Sequence, residues 1–328
     1  MNKDVLVVEI SGKRPGSSKD RPTEKIKIDY DKCIISNNSD DYITDWKIIN
    51  VPLEYENWYK ENIKSSDNAW YAPMNRSYAI KYAKEHGYKY LIQLDDNITL
   101  LQIAYCLSEK KEDYTIKKEY RSISSSGDGS DMMNDFIKMI VEILKKSNVG
   151  MVGCGMSGAG IPGNIYLSER YCYSLFGLDL NIVPDIFQGD FEDDIEYRLK
   201  LNQMNIPVLQ ICPFMYGKTA QQINKDLTGC RAEYLRAGVN RGKHMRQLYG
   251  DVYSAGESYH SNRAGKHDDN GMKYFKHKVK PIKLGVIFNN KESIDELFLD
   301  ILKKYSKEKE NKVVLKRNNE KIEFKNIK

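Results

Sequence analysis

The 328-residue chain has no CxxC pair, no zinc-finger spacing and no apolar run long enough to span a bilayer. Its six cysteines (33, 106, 154, 172, 212 and 230) are scattered. Neither a zinc site nor a disulfide frame is therefore expected, and reduced thiols point to a cytosol-like compartment. The longest apolar stretches, such as Val5–Val8 and Leu284–Phe288, are strand-sized, so no membrane contact is expected. Residues 1–25 lack the apolar core of a signal peptide. No internal repeat is visible. What remains is the composition of an ordinary folded protein, 41% hydrophobic and 30% charged. Abundant Lys, Ile, Asn and Tyr fit an A+T-rich coding genome, such as that of a low-GC bacterium or its phage, and a cytoplasmic location in a bacterial or phage-infected cell is the expectation.

Net charge is only +5, but it is unevenly placed. Gly229 to Lys283 carries twelve Lys/Arg against five Asp/Glu, so that segment is more basic than the whole chain. A polyanion could bind there; a solvated lysine-rich face would have the same charge.

Strand and helix signals alternate through the first two-thirds. Asp4–Ile10 reads as a strand running into the basic loop Ser11–Ser18. Lys25–Ile28, Lys32–Ile35 and Trp46–Val51 are further strand candidates, and Leu53–Ile63 reads as a helix. Met74–His86 has helical spacing and a stop at Gly87, followed by a strand at Tyr88–Leu94. Residues 109–131 are polar and end in Ser and Gly, which suggests a mobile excursion. Met132–Lys145 is an amphipathic helix, Val149–Cys154 a strand, Glu192–Asn202 a helix and Pro207–Cys212 a strand. Ser293–Tyr305 reads as a helix opened by a Ser293/Glu296 capping box. Two short β segments, Val313–Leu315 and Lys321–Phe324, fall in the charged tail. This order predicts an α/β fold with a mostly parallel sheet flanked by helices, whose ligands gather at the carboxyl ends of its strands. The expected division is a catalytic domain over 1–220 and a basic extension with the terminal helix and tail over 221–328.

The stretch YLIQLDDNITLL (90–101) ends a buried-looking strand on Asp95, Asp96 and Asn97. Unpaired buried carboxylates are costly, and a hard divalent cation such as Mg²⁺ or Mn²⁺, which prefers oxygen ligands, would remove that cost. The same triplet would also serve as a turn and the N-cap of a helix starting at Ile98. A second acidic cluster, GDFEDDIEYRLKL (189–201), opens a helix. Acids in a first turn complement the helix dipole, yet one placed at a loop-to-helix junction can face a cavity and act as general base. The Gly153–Gly160 run lacks the strand, tight turn and helix context of a dinucleotide fingerprint.

YAIKYAKEHGYKYLIQLDDN, with Asn75 and Arg76 at the head of its helix, followed about a hundred residues later by GDFEDDIEYRLKL, resembles the GT-A class of nucleotide-sugar glycosyltransferases. The resemblance covers roughly residues 1–220. More narrowly, LDDN followed by a basic carboxyl-terminal segment resembles the TET/JBP-associated glycosyltransferases, which are linked to glucosylating hydroxymethylated pyrimidines in DNA. The resemblance implies a GT-A-like fold, a UDP-sugar donor and a Mn²⁺ or Mg²⁺ cofactor. It also implies transfer of a hexose, glucose in that group, to a hydroxymethylated pyrimidine. It assigns the cation to Asp95, Asp96 and Asn97, with a histidine, His260 of ESYHSNR, as a further ligand. It assigns the nucleotide sugar to Ser11, Gly12, Lys13, Arg14, Asn75, Arg76 and Asp95. The base falls among Glu192, Asp193 and Asp194, with Asp193 taken first. Asn97 stands where a third Asp is usual, and the spacing from base to the later arginine suits none of the three acids cleanly.

For the acceptor, Arg231, Arg236, Arg241, Lys243, Arg246 and Arg263 are interleaved with tyrosines in the basic segment. Cations track phosphates and rings stack exposed bases in such surfaces, and a base can be flipped from the duplex. Two other functions fit the sequence: transfer to surface or capsular glycans, and non-catalytic DNA binding with the acidic clusters as mere caps.

Overall fold

The computed structural model describes residues 3–12, 21–63, 71–112, 115–125, 131–157, 166–170, 172–188, 193–218, 241–259, 273–279, 282–305, 313–317 and 320–324. Strand β1 (Val5–Ile10) is buried along its whole length, as a strand covered on both faces must be. It pairs in parallel with β2 (Asp31–Ser36) on one side and β4 (Tyr90–Asp95) on the other. β3 (Lys47–Asn50) continues the sheet beyond β2. On the far side of β4 come β9 (Leu175–Asp179), β7 (Met151–Met156), β10 (Val208–Lys218), β5 (Ile98–Glu112) and β6 (Thr115–Ser125). A two-residue strand, β8 (Leu167–Ser168), pairs with β10. β9 runs antiparallel to both β4 and β7, so β1 to β4, β7 and β10 share one direction. The fold is α/β with a mixed, mostly parallel sheet flanked by helices.

The period of two along β1 and β4 sorts side chains into two layers. Val5, Val7, Ile92 and Leu94 face one core, which holds Phe136, Ile140 and Leu144 of α3 (Met132–Lys145). Phe298 and Ile301 of α6 (Lys291–Tyr305) join that core, and Tyr305 donates to Asp135 of α3 at 2.6 Å. Leu6, Val8, Ile10 and Leu91 face the other core. It is closed by Tyr59 of α1 (Leu53–Asn62), by Ala79, Ile80 and Ala83 of α2 (Tyr71–Glu85), and by Tyr197 and Leu201 of α4 (Asp193–Gln203). A third, smaller cluster joins Ile195 and Leu199 of α4 to Met245 and Tyr249 of α5 (Arg241–Tyr249). Tyr253 of β11 (Tyr253–Tyr259) completes it, and β11 pairs with β12 (Lys273–Val279). A separate hairpin joins β13 (Val313–Arg317) to β14 (Glu320–Phe324).

Several expectations need correction. Lys25–Ile28 is not a strand: Pro22–Lys25 forms a 3-10 turn, and Ile26 and Ile28 fill the core without pairing. Residues 109–112 and 115–125 belong to the paired strands β5 and β6, because β6 ends the sheet and an edge strand carries charge readily. Ile98 begins a strand rather than a helix. β9 went unread because LFGLD is short and Gly177 interrupts it. The terminal helix starts at Lys291, with Asn290 Oδ1 accepting from Ser293 N–H at 3.1 Å; the cap is Asn290, not Ser293. Gly87 ends α2 with φ +78°, as the sequence indicates.

Gly153 belongs to β7, where a Cβ would lie 2.5 Å from Cys172 Cβ and 3.0 Å from the Leu175 carbonyl. Both neighbours are fixed by backbone, so they have little room to yield. Gly153→Ala is expected to lower unfolding free energy by roughly 1–3 kcal/mol, measured as a lower urea midpoint with an unchanged slope.

Candidate active site

α2 presents Arg76 on the same stripe as Ala79, Ile80 and Ala83, the spacing that faces the sheet. β4 presents Gln93 and Asp95 toward that helix, because Leu91 two residues earlier lies in the same layer. α4 presents Asp193 one turn ahead of Tyr197 and two ahead of Leu201. Three elements thus bring charged groups to one place by apolar packing alone.

The junction is Arg76. Its Nε donates to Asp193 Oδ2 at 2.7 Å, its Nη2 to Asp95 Oδ1 at 2.7 Å, and its Nη1 to Gln93 Oε1 at 3.2 Å. Gln93 Nε2 returns a hydrogen bond to the Arg76 carbonyl at 3.1 Å. Arg76 is 5% exposed, whereas the side chains of Asp193 and Asp95 are 15% and 23% exposed. The cation is buried and the two carboxylates keep some exposure to solvent. The other oxygen of Asp95 accepts from Lys218 Nζ.

The turn after β4 is held from below. Thr23 Oγ1 donates to the Asp95 carbonyl at 2.6 Å and accepts from Ile98 N–H at 2.9 Å. Asp96 is buried, and its Oδ2 accepts from Ser11 Oγ at 2.8 Å. That contact ties the carboxyl ends of β1 and β4 together. Asn75 Nδ2 donates to the Ser11 carbonyl at 3.0 Å. Asn97 is 4% exposed, and its Oδ1 has no hydrogen-bond partner among the described residues.

Burial opposes ionisation of Asp95, but Lys218 and Arg76 outweigh it and hold its carboxyl well below the usual carboxylate range. Asp193 is shifted upward: burial dominates, and Asp95 adds to it against the pull of Arg76. One carboxylate is locked ionised while its neighbour is made more basic, the separation expected of an acid/base site. Arg76 stays charged, because Asp95, Asp193 and Asp194 overcome the cost of its burial.

Of the residues singled out in the sequence, Ser11, Gly12, Asn75, Arg76, Asp95, Asp96 and Asn97 gather at the carboxyl ends of β1 and β4. Asp193 faces them across Arg76. Asp194 lies in the first turn of α4, its Oδ1 accepting from the adjacent Ile195 N–H at 2.8 Å. Lys13, Arg14, Glu192, Arg231, Arg236, His260 and Arg263 lie outside the described residues. So do the side chains of Arg241 and Lys243; Arg246 on α5 is exposed. α5 docks on α4, where Tyr249 Oη meets Glu196 Oε1 at 3.4 Å. Lys218, Gln93 and Thr23 were not read from the sequence; a Gly-Lys pair ending a strand was the only signal for the first.

Asp95, Asp96 and Asn97 carry oxygen donors of the type a divalent cation prefers, Asn97 bringing a buried amide oxygen with no partner among the described residues. Among the described residues no cluster of three or more His, Cys, Asp or Glu is gathered for a metal, so the amide of Asn97 would have to serve. No helix among the described residues is long and apolar enough to cross a membrane. No family model matches the chain, and no curated protein matches its sequence.

Removing the charge of Arg76 would leave two carboxylates facing each other with little solvent. Arg76→Met is expected to lower unfolding free energy by about 3 kcal/mol at pH 7. Asp95 has a depressed folded pKa, so its contribution is present above the ordinary carboxylate pKa and lost as pH falls. The gap between variant and wild type should therefore begin to narrow below about pH 4 and keep shrinking as pH falls toward the depressed pKa of Asp95, as read from urea titrations across pH.

Proposed function

We propose that the protein is a cation-assisted glycosyltransferase that moves a hexose, glucose by resemblance, from a UDP-sugar to a hydroxyl, with hydroxymethylated pyrimidines in DNA as the acceptor. One observation carries the reading: Arg76 binds Asp95 and Asp193 at once. The strand end at Asp95 and the acidic start of α4, far apart in sequence, therefore meet at one buried cation near the carboxyl ends of β1 and β4. Parallel sheets place ligands at such a position. The reading has the protein working in the cytosol of a bacterial or phage-infected cell.

In this reading Asp95, Asp96 and Asn97 would hold a Mg²⁺ or Mn²⁺ ion, which when bound neutralises charge developing on the departing diphosphate. Ser11, Gly12 and Asn75 line the end of β1 where the nucleotide would lie. The acceptor oxygen attacks the anomeric carbon, and the bond from that carbon to the diphosphate oxygen breaks with its electron pair leaving on UDP. The hydroxyl proton passes to Asp193. Its Oδ2 is fixed by Arg76 Nε, and its raised pKa makes it a better proton acceptor than an ordinary aspartate.

The DNA acceptor is favoured by the docking of α5 and β11 on α4, the helix that begins with Asp193. That contact sets α5, with its exposed Arg246, on the helix that carries Asp193; in this reading phosphate contacts from the basic segment would position the strand. A capsular glycan acceptor would require no such basic surface.

Incubation of the protein with Mn²⁺, UDP-glucose and hydroxymethylated DNA, followed by nucleoside mass spectrometry, is expected to show one added hexose. Asp193→Asn should cut turnover about 10²–10⁴-fold and leave UDP-glucose binding in place. DNA retention that weakens with salt but no hexose on any acceptor would identify a non-catalytic binder. Transfer to glycans and not DNA would move the acceptor.

A further inference from the structure

Lys218 is the last residue of β10, and the path of the chain there is irregular. Phe214 and Tyr216 face the α3 layer. The pairing of β10 with β5 then shifts register, from Gly217 opposite Leu100 to Lys218 opposite Ile98. A bulge of this kind re-aims the side chain that follows it. After the shift the Lys218 ammonium donates to Asp95 Oδ2, the same oxygen that the crevice would offer to a cation. The pair is not sealed: both side chains are 23% exposed. Asp95 is therefore bound on one oxygen by Arg76, which is buried, and on the other by Lys218, which reaches solvent.

The two cations differ in what they can do. Arg76 has three nitrogens committed to Asp193, Asp95 and Gln93 and cannot leave without stripping Asp193 of the cation that pairs with it. Among the described residues Lys218 pairs with Asp95 alone, sits on a flexible four-carbon stem and can withdraw into solvent at little cost. We propose that Lys218 is a tethered counter-ion that competes with a divalent cation for Asp95, holding the carboxylate in place until the ion takes Oδ2. Once displaced, its ammonium would stay tethered to the end of β10, available as a counter-charge to an anionic ligand. This rests on the cation-assisted reading of the Asp95 crevice.

Mn²⁺ binding by the full chain, followed as loss of the free-ion electron paramagnetic resonance signal, tests it without sugar or acceptor. Lys218→Ala is expected to bind Mn²⁺ about fivefold more tightly than wild type, the size of one partly exposed ion pair. Lys218→Arg should restore competition. In an Asp95→Asn background, where there is nothing to compete for, Lys218→Ala should bring a smaller gain, a coupling read from the double-mutant cycle. Circular dichroism and thermal melts establish that each variant is folded. A folded Lys218→Ala that binds Mn²⁺ no more tightly than wild type overturns the proposal. So does a wild type that binds UDP in EDTA while no variant binds Mn²⁺, since Lys218 would then be a permanent counter-ion. A tightened Lys218→Ala with no hexose transfer to any acceptor would uphold the competition and defeat the glycosyltransferase reading alone.

Discussion

The site depends on a buried guanidinium that binds two carboxylates. Desolvating Arg76 is costly, and only an arrangement that presents anions to its fork can offset that cost. Asp95, Asp193 and Gln93 do so from two elements, β4 and α4. The charge therefore acts as a joint between the sheet and the second acidic helix. If either carboxylate moved away, the remaining pair would keep its burial cost and lose half its compensation.

That joint also explains why neighbouring aspartates differ so much. Asp95 meets two cations and remains ionised; Asp193 shares one of them and lies deeper among apolar groups. The polar latch of Thr23 and the Ser11–Asp96 hydrogen bond then fix the turn that carries Asp96 and Asn97. Positioning by such second contacts is what lets a small cluster hold a shape without a large binding energy of its own. The third hydrophobic cluster extends the same logic outward, since Ile195 and Leu199 anchor α5 and β11 on the helix that carries Asp193.

Much of the scaffold was legible because its signals are local. The Val-rich run of β1, the stripe of α2 and the glycine stop at Gly87 each follow from periodicity or backbone sterics within a few residues. What escaped reading depends on partners far away in the chain. Ile26 and Ile28 look like a strand but meet no neighbouring edge, whereas the charged residues 109–112 and 115–125 do pair because β5 and β6 close the sheet. LFGLD has too few residues to declare itself, yet between β4 and β7 both of its edges are satisfied. The two acidic clusters were visible as clusters, and their meeting through Arg76 was not.

The sequence alone determined the alternation of strands and helices, the strand ending on Asp95, Asp96 and Asn97, the acidic opening of α4 and the basic bias after residue 228, because each is written in neighbouring side chains. Only the tertiary structure decided that Arg76 lies beneath both carboxylates rather than at an exposed helix start, and that Lys218 reaches Asp95. The reason is physical. A charge's neighbours in space are set by which apolar faces pack together, and that packing joins residues 76, 95, 193 and 218 across stretches of chain that carry no mutual signal.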